Sequence, residues 1–195
     1  MTFSVESENK EGKIVLQETD ESLATWSCFS GISETLQDEL RKANVLIVPH
    51  VGYGSREDLV YFPRGTEELL SSLRNASDAS LDVDICADDS TYQEIDLHSD
   101  VLRIAQLVVA HFLSPVVVDL VSTFIKQQLG RRFVNGKVIS TIVLSETPTG
   151  QSIKIRYEGP AATYQSALHD ALESLRTGSG SIELPETKAR DGETA

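Results

Sequence analysis

Several things are scarce in this chain of 195 residues. It has two cysteines, one methionine, one tryptophan, six prolines and twelve glycines. Two widely spaced thiols, Cys28 and Cys86, exclude a disulfide-stapled scaffold and read as reduced and cytosolic. Few glycines and prolines exclude collagen-like and low-complexity classes, and 40% apolar residues place the chain among globular proteins. Positive charge is scarce too: 17 Lys and Arg stand against 30 Asp and Glu, a formal net charge of −13. That field repels polyanions, so nucleic acid is disfavoured as a partner. The first residues, Met1-Thr2-Phe3-Ser4-Val5-Glu6, show neither the basic nor the apolar region of a signal peptide. Leu184-Pro185-Glu186-Thr187 has Lys188 where a sorting signal would carry glycine, and is read as accidental.

The charge is lopsided. Residues 1–100 hold 21 acids and 7 bases, whereas residues 101–195 hold 9 and 10. The acidic half is first of all a solvated surface, and second a steering surface for a basic protein partner.

The length suits one domain. Residues 1–20 read as a flexible arm, in which Ile14-Val15-Leu16 is able to add one short strand. A single α+β domain is expected over 21–175, divided into an acidic half (21–100) and a helix–hairpin–helix half (101–175). A solvated tail follows over 176–195. Leu36, Leu40 and Ala43 after Ser33 predict a short helix, and Asn44 to Val48 a buried strand stopped by Pro49. His50 to Gly65 reads as a loop pinned by Val60-Tyr61-Phe62. Thr66 to Ala76 reads as a helix with Glu67 and Glu68 in its first turn. Leu81-Asp82-Val83-Asp84-Ile85-Cys86 alternates as a half-buried strand, and Tyr92 to Leu97 reads as a second. Toward the C-terminus a hairpin is expected at Lys137–Leu144 and Ser152–Tyr157, with Lys154 and Arg156 forming a basic face, followed by a helix from Gly159-Pro160 to about Leu175.

Val101 to Leu129 is a long apolar segment interrupted at Ser114-Pro115. Its length permits a membrane span, but Arg103, His111, Asp119 and Lys126 punctuate it, and a central Asp costs about 2.5–3.5 kcal/mol on insertion. At 100° per residue each half carries its own polar stripe, so two helices or one kinked helix are expected, packed on a mixed or antiparallel sheet of about five strands. Gly130 would close the second helix, with Arg131 and Arg132 at its negative end.

Chemistry-bearing patterns are few. None of His50, His98, His111 and His169 makes a metal spacing with the cysteines. His111 and Asp119 on one helix would stand about 12 Å apart, too far for a hydrogen bond. Cys28, with His50 or His98 as base, is the candidate thiol nucleophile; beside Trp26 and Phe29 it is more simply a small core residue. Asp82, Asp84, Asp88 and Asp89 form an acidic cluster, but Cys86 and Ala87 break the calcium-loop pattern. Pairing with Lys154 and Arg156 is the alternative if those strands are neighbours. Gly52-Tyr53-Gly54-Ser55 lacks a phosphate loop's lysine.

The order Glu94-Ile95-Asp96-Leu97-His98-Ser99-Asp100, the apolar segment broken at Ser114-Pro115, Arg131-Arg132, a hairpin and Tyr157-Glu158-Gly159-Pro160 resembles the small accessory proteins encoded beside effectors in prokaryotic conflict and antiphage-defence operons. The resemblance covers about residues 90–175. It implies a non-enzymatic component that couples or regulates a catalytic partner, and it carries over no functional residues. The expectation is therefore an adaptor or regulatory subunit of a larger bacterial complex, acting through protein contacts. Asp82, Asp84, Asp88, Asp89, Arg131 and Arg132 are its candidate partner-binding residues. The partner would be a protein, basic where it meets the acidic half, or a second copy of the chain; no cofactor or metal is expected. The alternatives are a small hydrolase or thiol enzyme using Cys28 and a histidine, and a membrane-associated effector using residues 101–129.

Overall fold

A computed structural model describes residues 4–9, 12–30, 32–53, 56–76, 81–96, 101–111, 114–132, 136–145 and 151–177. Its centre is a mixed sheet. β1 (Ser4–Asn9) and β2 (Gly12–Thr19) form an antiparallel pair at one edge. Next come β11 (Ser152–Pro160), β10 (Lys137–Ser145), β9 (Gln106–Ala110), β3 (Val45–Val48) and β6 (Val83–Ile85); β8 (Val101–Arg103) runs ahead of β9 along the same side of β10. A smaller sheet joins β4 (His50–Tyr53), β5 (Arg56–Pro63) and β7 (Glu94–Ile95). The helices are α1 (Leu23–Ser27), α2 (Glu34–Leu40), α3 (Thr66–Arg74), α4 (Ser114–Arg132) and α5 (Ala161–Thr177).

Strand alternation assigns the two faces of the main sheet. Ile14, Leu16, Ile155, Tyr157, Val138, Ile142, Leu107, Val109, Val45 and Ile47 point to one face, where Leu69 and Leu73 of α3, Val117, Val121 and Phe124 of α4, and Tyr164, Ala167 and Leu168 of α5 cover them. The intervening Val143, Val108, Leu46 and Val48 point to the other face. There α1, α2 and their flanks cover them with Trp26, Phe29, Leu36 and Leu40. This second cover extends over only part of the sheet.

The α+β class and the terminal hairpin and helix agree with the sequence reading, and four local expectations do not. Val101 to Ala110 is strand rather than helix. β9 lies between β10 and β3 with both faces covered, and a doubly covered strand reads as an unbroken apolar run instead of an alternating one. Ser114-Pro115 is therefore a strand-to-helix junction: the Ser114 hydroxyl donates to the His111 carbonyl (2.8 Å) and Pro115 takes the first turn, where no N–H is needed. Gly130 does not end α4, which runs to Arg132. Residues 12–19, expected within a flexible arm, form a strand that seats Ile14 and Leu16 in the core. His50 to Pro63, read as a loop, contains the β4–β5 pair. The turn at 146–150, His98 and the tail from 178 lie outside the described residues.

One irregularity decides what faces the uncovered part of the sheet. Arg103 is opposite Ile139 and Leu107 opposite Ile142, so three residues, Ile104 to Gln106, face two on β10. This one-residue bulge brings Arg103 and Gln106, which in a regular strand would point to opposite sides, to the same face.

Candidate functional site

The face that α1 and α2 leave open is a groove of about 560 Å³, lined by Lys13, Val15, Gln17, His50, Arg103, Gln106, Ile139, Thr141, Lys154, Arg156 and Glu158. Register explains the gathering. Lys154 is opposite Gln17, Arg156 lies between Val15 and Thr141, and Glu158 lies between Lys13 and Ile139, with Arg103 one strand further on. Residues directly opposite one another share a face, so these side chains emerge together. Lys137, opposite Val101 and two residues before Ile139, emerges on the same side.

This face gathers the cations Lys13, Arg103, Lys137, Lys154 and Arg156 with the carboxylates Glu158 and Glu21, and at its edge Glu8 and Glu6 of β1 stand opposite Lys13 and Val15. The groove lining itself is positive, with Lys13, Arg103, Lys154 and Arg156 against Glu158, on a chain of net charge −13. Glu158 sits 2.9 Å from Lys137 Nζ and 3.8 Å from Arg156 Nη2. The Lys137 hydrogen bond, helped by the fields of Arg156 and Arg103, outweighs partial burial and holds its carboxyl below the usual range. Glu21 bonds to Lys154 Nζ and Gln106 Nε2, and accepts from Trp26 Nε1 at 3.2 Å. Arg103 Nε is buried without a hydrogen-bond partner among the described residues. At the groove's end His50 stacks on Tyr61, with ring centroids 5.6 Å apart. Burial and the positive fields of Arg103, Arg156 and Lys154 lower its pKa, against an opposing hydrogen bond to the Ile104 backbone. These effects favour the neutral imidazole.

Donors therefore dominate: guanidinium and ammonium groups, two carboxamides, and the Thr141 hydroxyl. Such a set recognises an anion. The sequence reading identified Lys154 and Arg156 as a basic face. It did not connect them with Lys13, Arg103 or Lys137, because only strand order and the bulge bring these together.

The acidic residues singled out in the sequence lie at the far edge of the sheet. Asp84 on β6 pairs with Arg74 of α3 at 3.0 Å. Asp88 accepts from the Ser33 N–H (3.0 Å) and hydroxyl (2.9 Å), bracing the start of α2. Asp82 and Asp89 are exposed, the Asp82 N–H donating to Asn44 Oδ1 at 2.9 Å. Pairing of this cluster with Lys154 and Arg156 does not occur: β6 and β11 are separated by three strands, about 19 Å at the usual strand spacing. Lys154 bonds to Glu21 instead. Arg131 and Arg132 fall in the last turn of α4.

The histidines and cysteines are also dispersed. Asp119 meets His169 of α5 (2.7 Å) and Gln165 (2.9 Å), a clasp between α4 and α5. His111 is half-buried, with Nδ1 unpartnered among the described residues. No group of three His, Cys, Asp or Glu side chains able to hold a metal ion occurs among the described residues. No described helix is long and apolar enough to cross a membrane.

Cys28 is exposed rather than in the core. Its Sγ contacts Arg41 Nη2 (3.6 Å) and Ser27 Oγ (3.9 Å), and these hydrogen bonds lower its pKa. Cys86 is buried, donates to the Trp26 carbonyl (3.2 Å), and burial pushes its pKa to about 12. The hydrogen-bond partners of Cys28 Sγ among the described residues are Arg41 and Ser27, with no hydrogen bond to His50. Thiolate is the reactive form, so iodoacetamide at pH 7.5 is expected to alkylate one thiol per native chain. Peptide mass mapping should assign it to Cys28, with Cys86 labelled only after unfolding; equal labelling of both would contradict the burial described.

No protein-family model, curated protein or solved structure compared with the chain matches it.

Proposed function

We propose that this protein is a non-catalytic adaptor or regulatory subunit of a larger bacterial complex, and that it works by docking an anionic group of its partner in the groove on the open sheet face. The observation that carries this reading is the convergence of Lys13, Arg103, Lys137, Lys154 and Arg156 on one face of an otherwise acidic molecule. A desolvated donor such as Arg103 Nε lacks only an acceptor, and a buried unpaired donor costs about 1–3 kcal/mol until one arrives. The resemblance of residues 90–175 to effector-associated accessory proteins supports the regulatory half of the reading, antiphage defence included. Two free thiols fit a reducing cytoplasm.

The acidic edge serves this role less well, because Asp84 and Asp88 already brace α3 and α2. A native pull-down with mass spectrometry separates the two surfaces. Wild type and an Asp82→Ala/Asp89→Ala variant are expected to retain the same partner, while Arg103→Glu/Arg156→Glu loses it at least tenfold. Loss with the aspartate pair alone would move the working surface to the acidic edge. Retention by both variants would remove the groove from the interaction.

A further inference from the structure

Three donors from three separate elements converge on one carboxylate. Lys154 Nζ comes from β11, Gln106 Nε2 from β9 and Trp26 Nε1 from α1, and all bond to Glu21, which lies between β2 and α1. Lys154 binds Oε1, while Gln106 and Trp26 share Oε2. The Lys154 and Glu21 side chains are mostly covered, with 22% and 28% of their surfaces exposed. Glu21 follows the last residue of β2 by two and precedes the α1 N-cap Ser22, so these bonds also tie the β2–α1 connection to the central strands.

We propose that Lys154, Gln106 and Trp26 form a phosphate subsite of the groove, and that Glu21 occupies it as a tethered stand-in until a phosphate group displaces it. The proposal rests on the groove being the working surface. Phosphate suits the donor set better than a second carboxylate does. It offers three terminal oxygens, one per donor, and carries about −1.5 to −2 charges at pH 7 against −1 for Glu21. The extra charge is favoured by the other cations on the same face, Arg156 above all, two residues along β11 from Lys154. A singly charged intruder has no such advantage over a tethered carboxylate, whose effective concentration is in the millimolar range. The main chain of these central strands is committed to the sheet ladder, so recognition of the ligand falls to side chains. Displacing Glu21 also breaks the bond to Trp26, so occupation of the groove is transmitted to α1.

Trp26 is the only tryptophan in the chain, which makes the exchange directly observable. Binding of inorganic pyrophosphate to the full-length protein is measured by isothermal titration calorimetry at low salt, and tryptophan emission is recorded in a parallel titration. The wild type is expected to bind saturably with a change in emission. Glu21→Gln is expected to bind about five- to tenfold tighter, because the charged competitor is gone, and Lys154→Ala at least tenfold more weakly. Circular dichroism and thermal midpoints check that both variants fold. Equal affinity for wild type and Glu21→Gln, with no emission change, overturns the subsite and leaves the pull-down reading standing. A hexaglutamate peptide that binds as tightly as pyrophosphate overturns the preference for phosphate. No pyrophosphate binding by either protein overturns the subsite outright. A phosphoserine pentapeptide that binds more tightly than pyrophosphate supports a phosphate carried by a protein partner; the reverse order supports a free phosphate compound.

Discussion

Replacing Tyr164 with alanine is expected to remove about 3–5 kcal/mol of stability, against the 5–15 kcal/mol typical of a whole domain. Tyr164 on α5 is fully buried, meets the ring of Tyr157 edge-on at 5.2 Å and 90°, and shares a hydrogen bond with Ser140 Oγ at 3.1 Å. The alanine variant therefore loses ring burial, the aromatic contact and the hydrogen bond, and leaves a cavity between β10, β11 and α5 that their backbones do not close. Tyr164→Phe isolates the polar part: it strands the buried Ser140 hydroxyl and should cost about 1–2 kcal/mol. Tyr164→Phe combined with Ser140→Ala removes both partners, and it should recover part of that loss. Urea denaturation of the four proteins checks the ordering; a Tyr164→Ala midpoint equal to wild type would be incompatible with this packing. Burial, only partly offset by the Ser140 hydrogen bond, raises the Tyr164 pKa, so its phenol should titrate above the usual tyrosine range in the native protein.

The second large effect concerns Glu94. The N-cap of α3 is Gly65, whose φ of +93° suits glycine and whose lack of a side chain leaves the first N–H groups of the helix without a local cap. Glu94 on β7 supplies the acceptor from 27 and more residues away. Its carboxylate accepts from Gly65 N–H at 3.0 Å, Glu67 N–H at 2.9 Å and the Tyr92 hydroxyl at 2.6 Å. A negative charge is also favoured at a helix N-terminus. Burial by itself would raise the Glu94 pKa, but the hydrogen bonds from Tyr92 and from the Gly65, Glu67 and Thr66 backbone outweigh it, and the net shift is downward. A depressed carboxyl pKa contributes stability that is complete above the unfolded-state value and is lost as pH falls through the folded one. Glu94→Ala should thus cost about 1.5–2 kcal/mol at pH 7, the lower part of the range for bonds to a charged acceptor, because the group is partly exposed. The difference from wild type should shrink as pH falls below about 5, where the unfolded-state carboxyl begins to protonate. Thermal midpoints of both proteins between pH 3 and pH 7 test this; a pH-independent difference would mean that the carboxylate charge is not what stabilises α3.

How much of this was legible varied with the number of covered faces. Lys154 and Arg156 alternate with Ile153, Ile155 and Tyr157 on a strand with one face in the core, so periodicity reveals both its structure and its basic side. The Leu107-Val108-Val109 run faces cover on both sides, and its lack of alternation imitates a helix. β2 was visible only as Ile14-Val15-Leu16, because its neighbours Lys13 and Gln17 belong to the groove and resemble the residues of an arm. The acidic cluster stood out because its members are adjacent in the chain. Glu21 and Glu94 did not, because beyond Trp26 and Tyr92 their partners are 27 to 133 residues distant.

By itself the sequence determined the α+β class, the break at Ser114-Pro115 and the helix after it, the terminal hairpin and helix, the basic side of β11 and the lopsided distribution of charge. Each of these is a local or compositional property, set by side-chain period, by capping chemistry or by counting. Only the tertiary structure decided that β2, β8, β9, β10 and β11 lie side by side, and that a one-residue bulge turns Arg103 and Gln106 to the same face. It also decided that α1 and α2 stop short of covering that face. Strand order and register are set by the packing of whole layers, and they gather positive charge from residues 13 to 156 onto one surface of an acidic chain.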